Sequence, residues 1–329
     1  MDASAWLHSA PRPAAAACWT RLLPEQLCRA AESETRKLTR CSGGGCTHWV
    51  DATASPRCAL EMLAIHVVEF HLQRLGFLQG RRAGAEWWVQ RREICDSLSV
   101  HWDCDETRKS GTGEHIPPFL ATVNYLTNEG APTIVLPIAA DARGRGVTMP
   151  SSDEEDSARA PTLAAYASFP LRGKHLAFDG RLLHGAVYDG PDDGPEDLDE
   201  GATTAVANSP AAAERLTVLV NLWIDHQPDG VVSLSDELLE AVTAAAELDG
   251  TVLPVTFDVP PSASAHAVPP HCRAARTDGV WREFPIGSFH HPPVRVLGVG
   301  EEGFARPEMP IHFVEMVGVE VDPGTAVVS

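Results

Sequence analysis

Apolar residues change their spacing along this chain, and the change divides it into helical and extended parts. Between Ala59 and Leu75 (ALEMLAIHVVEFHLQRL), Leu60, Leu63, Val67 and Phe70 recur at three- and four-residue intervals, with no Gly or Pro inside and Gly76 just beyond. That spacing with that stop predicts a helix over 59–75. Pro24 to Leu27 reads as the opening of a short helix, with Pro near its first turn, and residues 40–57 read as loop. Ser235 to Leu248 is a second strong helix: Ser235 stands at the N-cap, Asp236 and Glu237 fall in the first turn, and Gly250 follows.

From Trp87 the texture becomes that of short strands, at 87–90, 97–103, 121–126, 132–136, 175–178, 185–188 and 216–224, separated by Gly, Pro and Asp. Short strands divided by such turns predict a mainly β fold with flanking helices, a sandwich or jelly roll. Residues 139–168 and 189–214 have the Ala, Asp, Gly and Pro content of insertions. The expected organisation is an N-terminal helical support over 1–84, a β core over 85–228 and a C-terminal extension over 229–329 packed on that core.

The 329 residues are 44% hydrophobic and 22% charged, which is ordinary globular composition. Net charge is −19 and no Lys/Arg-rich run exists, so a nucleic-acid partner is not expected. The acidity concentrates at Asp153–Asp156 and Asp189–Glu200, which read as solvated loops. No run of 18 apolar residues predicts a membrane span. The N-terminus lacks a basic n-region and a continuous apolar h-region, so an intracellular, cytoplasmic protein is expected. The eight cysteines then read as free thiols. Cys41 and Cys46, with His48 nearby, have loose spacing and no second pair, and read as surface thiols.

The chemistry begins at His101-Trp102-Asp103. On a strand, residues i and i+2 share a face about 7 Å apart, so an imidazole and a carboxylate can both reach one metal ion. Trp102 then points to the opposite face, into the core. A third ligand must come from elsewhere, and His184, 83 residues on and followed by Gly185, is the candidate. Two histidines and one carboxylate leave open positions on an octahedral iron, as oxygen chemistry requires. Arg215 opens the apolar run Leu216 to Trp223 and can form a bidentate pair with a carboxylate. Tyr125 lies on the strand after the metal-binding one and can add a hydroxyl to the same pocket.

Other polar residues read differently. His66 and His71, five apart on one helix, diverge by about 140° and read as structural. His175 opens a strand and is not chosen as a ligand; His115 reads as a loop histidine, Asp105 and Glu106 as a solvated loop. Trp87, Trp88 and Trp223 read as core, His290-His291 as a tail turn, and Asp225-His226 stand evenly between structure and site.

Taken in order, His101-Trp102-Asp103, Asn124-Tyr125-Leu126, Gly130-Ala131-Pro132-Thr133, Leu176-Ala177-Phe178-Asp179, His184-Gly185-Ala186-Val187 and Arg215 to Trp223 resemble the prolyl-4-hydroxylase-type Fe(II)/2-oxoglutarate dioxygenases over residues 95–226. The resemblance implies a double-stranded β-helix, the cupin-like jelly roll. It implies that His101, Asp103 and His184 bind Fe(II), that Arg215 pairs with the distal carboxylate of 2-oxoglutarate, and that Tyr125 donates to that co-substrate. The implied partners are O2, 2-oxoglutarate and a protein, peptide or small-molecule substrate, with ascorbate as an accessory. The implied reaction couples hydroxylation to decarboxylation of 2-oxoglutarate. Neutral imidazoles and an ionised Asp103 are needed, so iron affinity should fall at acid pH. The chain departs from the family in the 31 residues between His184 and Arg215, in the Gly-Ala-Pro-Thr turn, and in Trp87-Trp88 upstream. A metal-holding binding protein and a cupin-like enzyme without 2-oxoglutarate are the alternatives, and Arg215 discriminates against the latter.

Overall fold

The computed structural model describes residues 16–19, 22–42, 45–76, 80–94, 96–148, 163–186 and 214–244, with the backbone of three later strands. Six strands form one antiparallel sheet in the order β1 (Ala16–Trp19), β9 (His175–Asp179), β5 (Leu120–Tyr125), β11 (Glu214–Ile224), β3 (Ala83–Glu93) and β2 (His48–Asp51). The second sheet runs β12 (Trp281–Phe284), β13 (Val294–Leu297), β14 (Val314–Glu320), β8 (Leu163–Ser168), β6 (Thr133–Ala140), β10 (Leu182–Ala186) and β4 (Leu98–His101), with β7 (Gly146–Thr148) paired to β6. The fold class is the one the sequence predicts: mainly β, jelly-roll-like, with flanking helices.

Both faces of the first sheet are covered, which explains the unbroken apolar run in β11. Leu216, Val218, Val220 and Leu222 face outward into a core shared with helix α1 (Glu25–Ser42) and helix α2 (Ala59–Arg74). Leu219 faces inward with Val123 and Tyr125, against Val135 and Leu182 of the second sheet. Each buried Leu or Val contributes about 1.5–3 kcal/mol. The outer row therefore anchors β11 strongly enough for its inner row to carry polar groups. Helix α2 is held at its start by Glu34 of α1, whose carboxylate accepts from the Ala59 and Leu60 N–H groups at 3.0 and 2.9 Å. No helix among the described residues is long and apolar enough to cross a membrane.

Several elements differ from expectation. The 40–57 loop contains β2, and the helix opening at Pro24 runs on to Ser42. The N-terminal support therefore contributes β1 and β2 to the core sheet. These are edge strands of four residues each, too short for a periodic signal. The 139–168 insertion holds the end of β6 together with β7 and β8. The last strong helix, α4 (Asp236–Thr243), keeps its Ser235 cap, with Ser235 Oγ accepting from Leu238 N–H at 3.3 Å; residues 245–248 of the expected span lie outside the described residues. The 189–213 stretch and His290-His291 lie outside the described residues. The described cysteines are all free, Cys41 and Cys46 being exposed.

Candidate metal centre and anion site

Strands β4 and β10 are antiparallel neighbours, and His101 is the direct partner of His184. A Cβ on Gly185 would lie 2.9 Å from the Leu98 carbonyl and 3.0 Å from Val100, so the absent side chain lets the two strands approach where the register shifts. The imidazoles face each other with ring centroids 4.6 Å apart. Each donates Nδ1–H to the carbonyl two residues earlier, His101 to Ser99 at 2.9 Å and His184 to Leu182 at 3.0 Å. This fixes both tautomers and leaves both Nε2 lone pairs available to a metal ion.

Asp103 completes the set, although not as the sequence suggests. Strand β4 ends at His101, so Asp103 is not placed by strand alternation. It is placed by its neighbours. Trp102 is buried and donates Nε1–H to the Ile138 carbonyl at 3.1 Å. Asp105, read as part of a solvated loop, is buried and caps helix α3 (Glu106–Thr112) by accepting from Arg108 N–H at 2.9 Å. It also accepts from His226 Nε2 and the Asp229 N–H, each at 2.9 Å, tying this turn to the segment after β11. Asp103 Oδ1 then stands 3.5 Å from His101 Nε2, and Oδ2 stands 3.5 Å from His184 Nε2.

The three ligand atoms lie within 4.8 Å of one another. Two ligands bound at right angles about 2.1 Å from an ion are about 3 Å apart, so the trio fits one divalent ion and leaves positions open. Burial pushes the Asp103 carboxyl up, but the neighbouring imidazoles and the Asn221 amide outweigh it and bring its pKa to about 2. Burial lowers the pKa of His184, outweighing the pull of Asp103. For His101 the hydrogen bond and charge of Asp103 outweigh burial and raise it.

A buried cation stands across the same interior. Arg215 is 3% exposed, and its Nη2 donates to Thr133 Oγ1 at 2.9 Å. The Tyr125 hydroxyl is 2.8 Å from Thr133 Oγ1 and 2.9 Å from the Ser168 carbonyl. A carbonyl only accepts, so Tyr125 donates to Ser168 and Thr133 donates to Tyr125; the Tyr125 proton is thus held by Ser168 rather than turned to a co-substrate as the resemblance implies. Arg215 Nε is buried with no hydrogen-bond partner. No carboxylate among the described residues pairs with this guanidinium, whose pKa is lowered by burial. Thr133 is the partner of Ala186, and Val135 is the partner of His184. Thr133 is thus the diagonal neighbour of His184, a separation of about 7–8 Å or somewhat less between Cβ atoms. Arg215 is thus linked through Thr133 to the strand that pairs with His184.

Three residues beside the trio and Arg215 are given no role by the sequence. Asn221 Nδ2 donates to Asp103 Oδ2 at 3.2 Å. Glu86, its partner on β3, is buried and accepts from Trp223 Nε1 at 3.0 Å. Burial, with Asp103 nearby, raises the Glu86 carboxyl to about 7. Thr133 is the third. Asn221 was open to discovery by counting in twos from Arg215 along β11, since Arg215, Thr217, Leu219 and Asn221 share the inner face.

Among the described residues, His175 and His71 are held in the core by hydrogen bonds. His175 is fully buried, its Nδ1 2.8 Å from Asn124 Oδ1 and its Nε2 2.8 Å from His71 Nε2. His115 is buried, and Trp87 and Trp223 are core.

No family model and no curated protein matches the chain. Among solved structures it is similar to a Pseudomonas putida prolyl-4-hydroxylase, at 13% identity and TM-score 0.37 over 68% of this chain and 98% of that one. It is also similar to the non-heme alpha-ketoglutarate-dependent carbocyclase SnoK from nogalamycin biosynthesis, at 14% identity and TM-score 0.38 over 68% and 90%. HygX from Streptomyces hygroscopicus with iron bound matches at 12% identity and TM-score 0.36 over 72% and 93%. At these identities and scores the likenesses assign no residue of this chain a role.

Proposed function

We propose that this chain is an Fe(II)- and 2-oxoglutarate-dependent oxygenase that hydroxylates its substrate while 2-oxoglutarate is converted to succinate and CO2. One observation carries the reading. A His101, Asp103 and His184 trio with both Nε2 atoms free faces the same interior as a buried Arg215 that meets no carboxylate among the described residues. A metal site alone does not call for such a cation, and a chelating dicarboxylate does.

When bound, Fe(II) supplies oxygen activation and the oxidation of a C–H bond. The chain supplies position. His101, Asp103 and His184 would hold the ion, and as three ligands they would leave it open to the 2-oxo acid. Arg215, oriented by Thr133, takes the distal carboxylate, and the Tyr125 hydroxyl orients Thr133 in turn. The apolar layer between the sheets, with Val135, Phe178 and Leu182, keeps water from the co-substrate. The proposed substrate is a prolyl or other side chain of a protein or peptide, ascorbate is the accessory reductant, and the protein works inside the cell.

The test is release of succinate from 2-oxoglutarate by the Fe(II)-loaded protein, with His184→Ala and Arg215→Gln alongside. Turnover in wild type that is lost in both variants supports the reading. Iron binding without any succinate, even with a broad peptide panel, supports a cupin-like or binding protein instead.

A further inference from the structure

Arg92 of β3 lies directly across the ladder from Arg215 of β11. Residues paired in this way carry their side chains on one face, with Cβ atoms 4.5–5.5 Å apart, and like charges placed so repel. Arg215 points between the sheets, so Arg92 shares that inner face. Both Nε–H groups are buried without a hydrogen-bond partner.

Neither guanidinium meets a carboxylate among the described residues, in a chain with 45 acidic and 26 basic side chains. Elsewhere Arg36, Arg57, Arg172 and Arg181 each reach a carboxylate. The two inner rows of β3 and β11 are thus polarised. Glu86 and Asn221 stand at the end near Asp103, and Arg92 and Arg215 at the other.

We propose that Arg92 is a second guanidinium for the distal carboxylate of the co-substrate, and that the Arg92–Arg215 pair makes the pocket select dicarboxylate 2-oxo acids over monocarboxylate ones. This assignment rests on the 2-oxoglutarate reading above. A carboxylate offers about four acceptor positions, enough for a fork from each side. Arg215 spends Nη2 on Thr133 and keeps Nε–H for the ligand; Arg92 has its Nε–H free in the same way. The bound anion removes the repulsion that the empty pair carries.

The experiment is calorimetric titration of the full chain, loaded with Mn(II) in place of iron, with 2-oxoglutarate and with 2-oxobutyrate, which has the same chelating head and no distal carboxylate. Wild type, Arg92→Gln, Arg92→Lys and Arg215→Gln are compared, and each is melted without ligand. Arg92→Gln is expected to weaken 2-oxoglutarate by about tenfold or more, to leave 2-oxobutyrate within about twofold, and to melt at or above wild type once the repulsion is gone. Arg92→Lys should recover part of the affinity. Unchanged 2-oxoglutarate binding in Arg92→Gln, or equal weakening of both acids, overturns the proposal while leaving the Arg215 reading intact. If wild type itself shows no preference for 2-oxoglutarate, the co-substrate reading fails and Arg92 falls with it.

Discussion

His101 and His184 are cross-strand partners whose rings stand 4.6 Å apart, each locked by its own Nδ1–H on a carbonyl two residues back. The same backbone pairing that builds the second sheet therefore presents two aligned Nε2 atoms before any metal arrives. His184→Ala removes one ligand and leaves the strand hydrogen bonds intact. It should abolish stoichiometric metal, read by elemental analysis, while the far-ultraviolet circular dichroism stays that of wild type. Retained stoichiometric metal would place the site elsewhere.

Asn221 reaches Asp103, the third candidate ligand, from the other sheet. Groups that orient a metal ligand typically contribute 10–100-fold in affinity. Asn221→Ala should weaken Co(II) binding by about that factor in an absorbance titration, with Arg215-dependent anion binding preserved. Wild-type Co(II) affinity in the variant would reduce the contact to packing.

Gly130 has φ +106°, and a Cβ there would stand 2.5 Å from the Arg215 Cβ. Gly130→Ala therefore strains the turn by about 1–3 kcal/mol and pushes Arg215 from its place over Thr133. Thermal melting should fall by a few degrees and 2-oxoglutarate affinity should drop, while metal binding persists. Unchanged anion affinity would show that Arg215 tolerates the displacement.

A buried histidine pair contributes to the acid sensitivity of the fold. Asn124 Nδ2 donates to the Val218 carbonyl at 3.0 Å, so its Oδ1 accepts from His175 Nδ1–H, and His175 Nε2 accepts from His71 Nε2–H. Burial holds both rings neutral, His71 down to about 3 and His175 well below its ordinary value. Unfolded, both protonate near pH 6.5. The unfolded chain thus binds more protons below that pH. The stabilisation is complete above about pH 6.5 and is lost as pH falls toward 3, by about 1.4 kcal/mol per pH unit for each ring. His71→Gln keeps a donor for His175 and should remove one proton from that slope in urea unfolding between pH 6.5 and 5. An unchanged slope would contradict the assignment.

Legibility in the sequence followed the length of each periodic run. Helix α2 and strand β11 carry their signals over 16 and 11 residues, and both were readable. Strands β1 and β2 have four residues each and pair at sheet edges, where partners outside the segment decide the conformation. His101, Asp103 and His184 are identifiable in the sequence as residue types in order, but strand β4 ends at His101, before Asp103. Trp102 and Asp105 hold it, not strand alternation. Glu86 and Arg92 were hidden because their placement comes from cross-strand register, and pairing between β3 and β11 joins residues more than a hundred positions apart; Thr133 and Asn221 stand in stretches that the resemblance covers but that give neither a role.

The central claim is that one interior holds both a metal trio and a carboxylate-binding guanidinium. Anaerobic titration of the Fe(II)-loaded protein with 2-oxoglutarate, followed through the visible metal-to-ligand charge-transfer absorption, tests it most directly. The account predicts that the band develops saturably in wild type, is lost in His184→Ala, and needs much more 2-oxoglutarate in Arg215→Gln. Iron binding with no band at any 2-oxoglutarate concentration would contradict it.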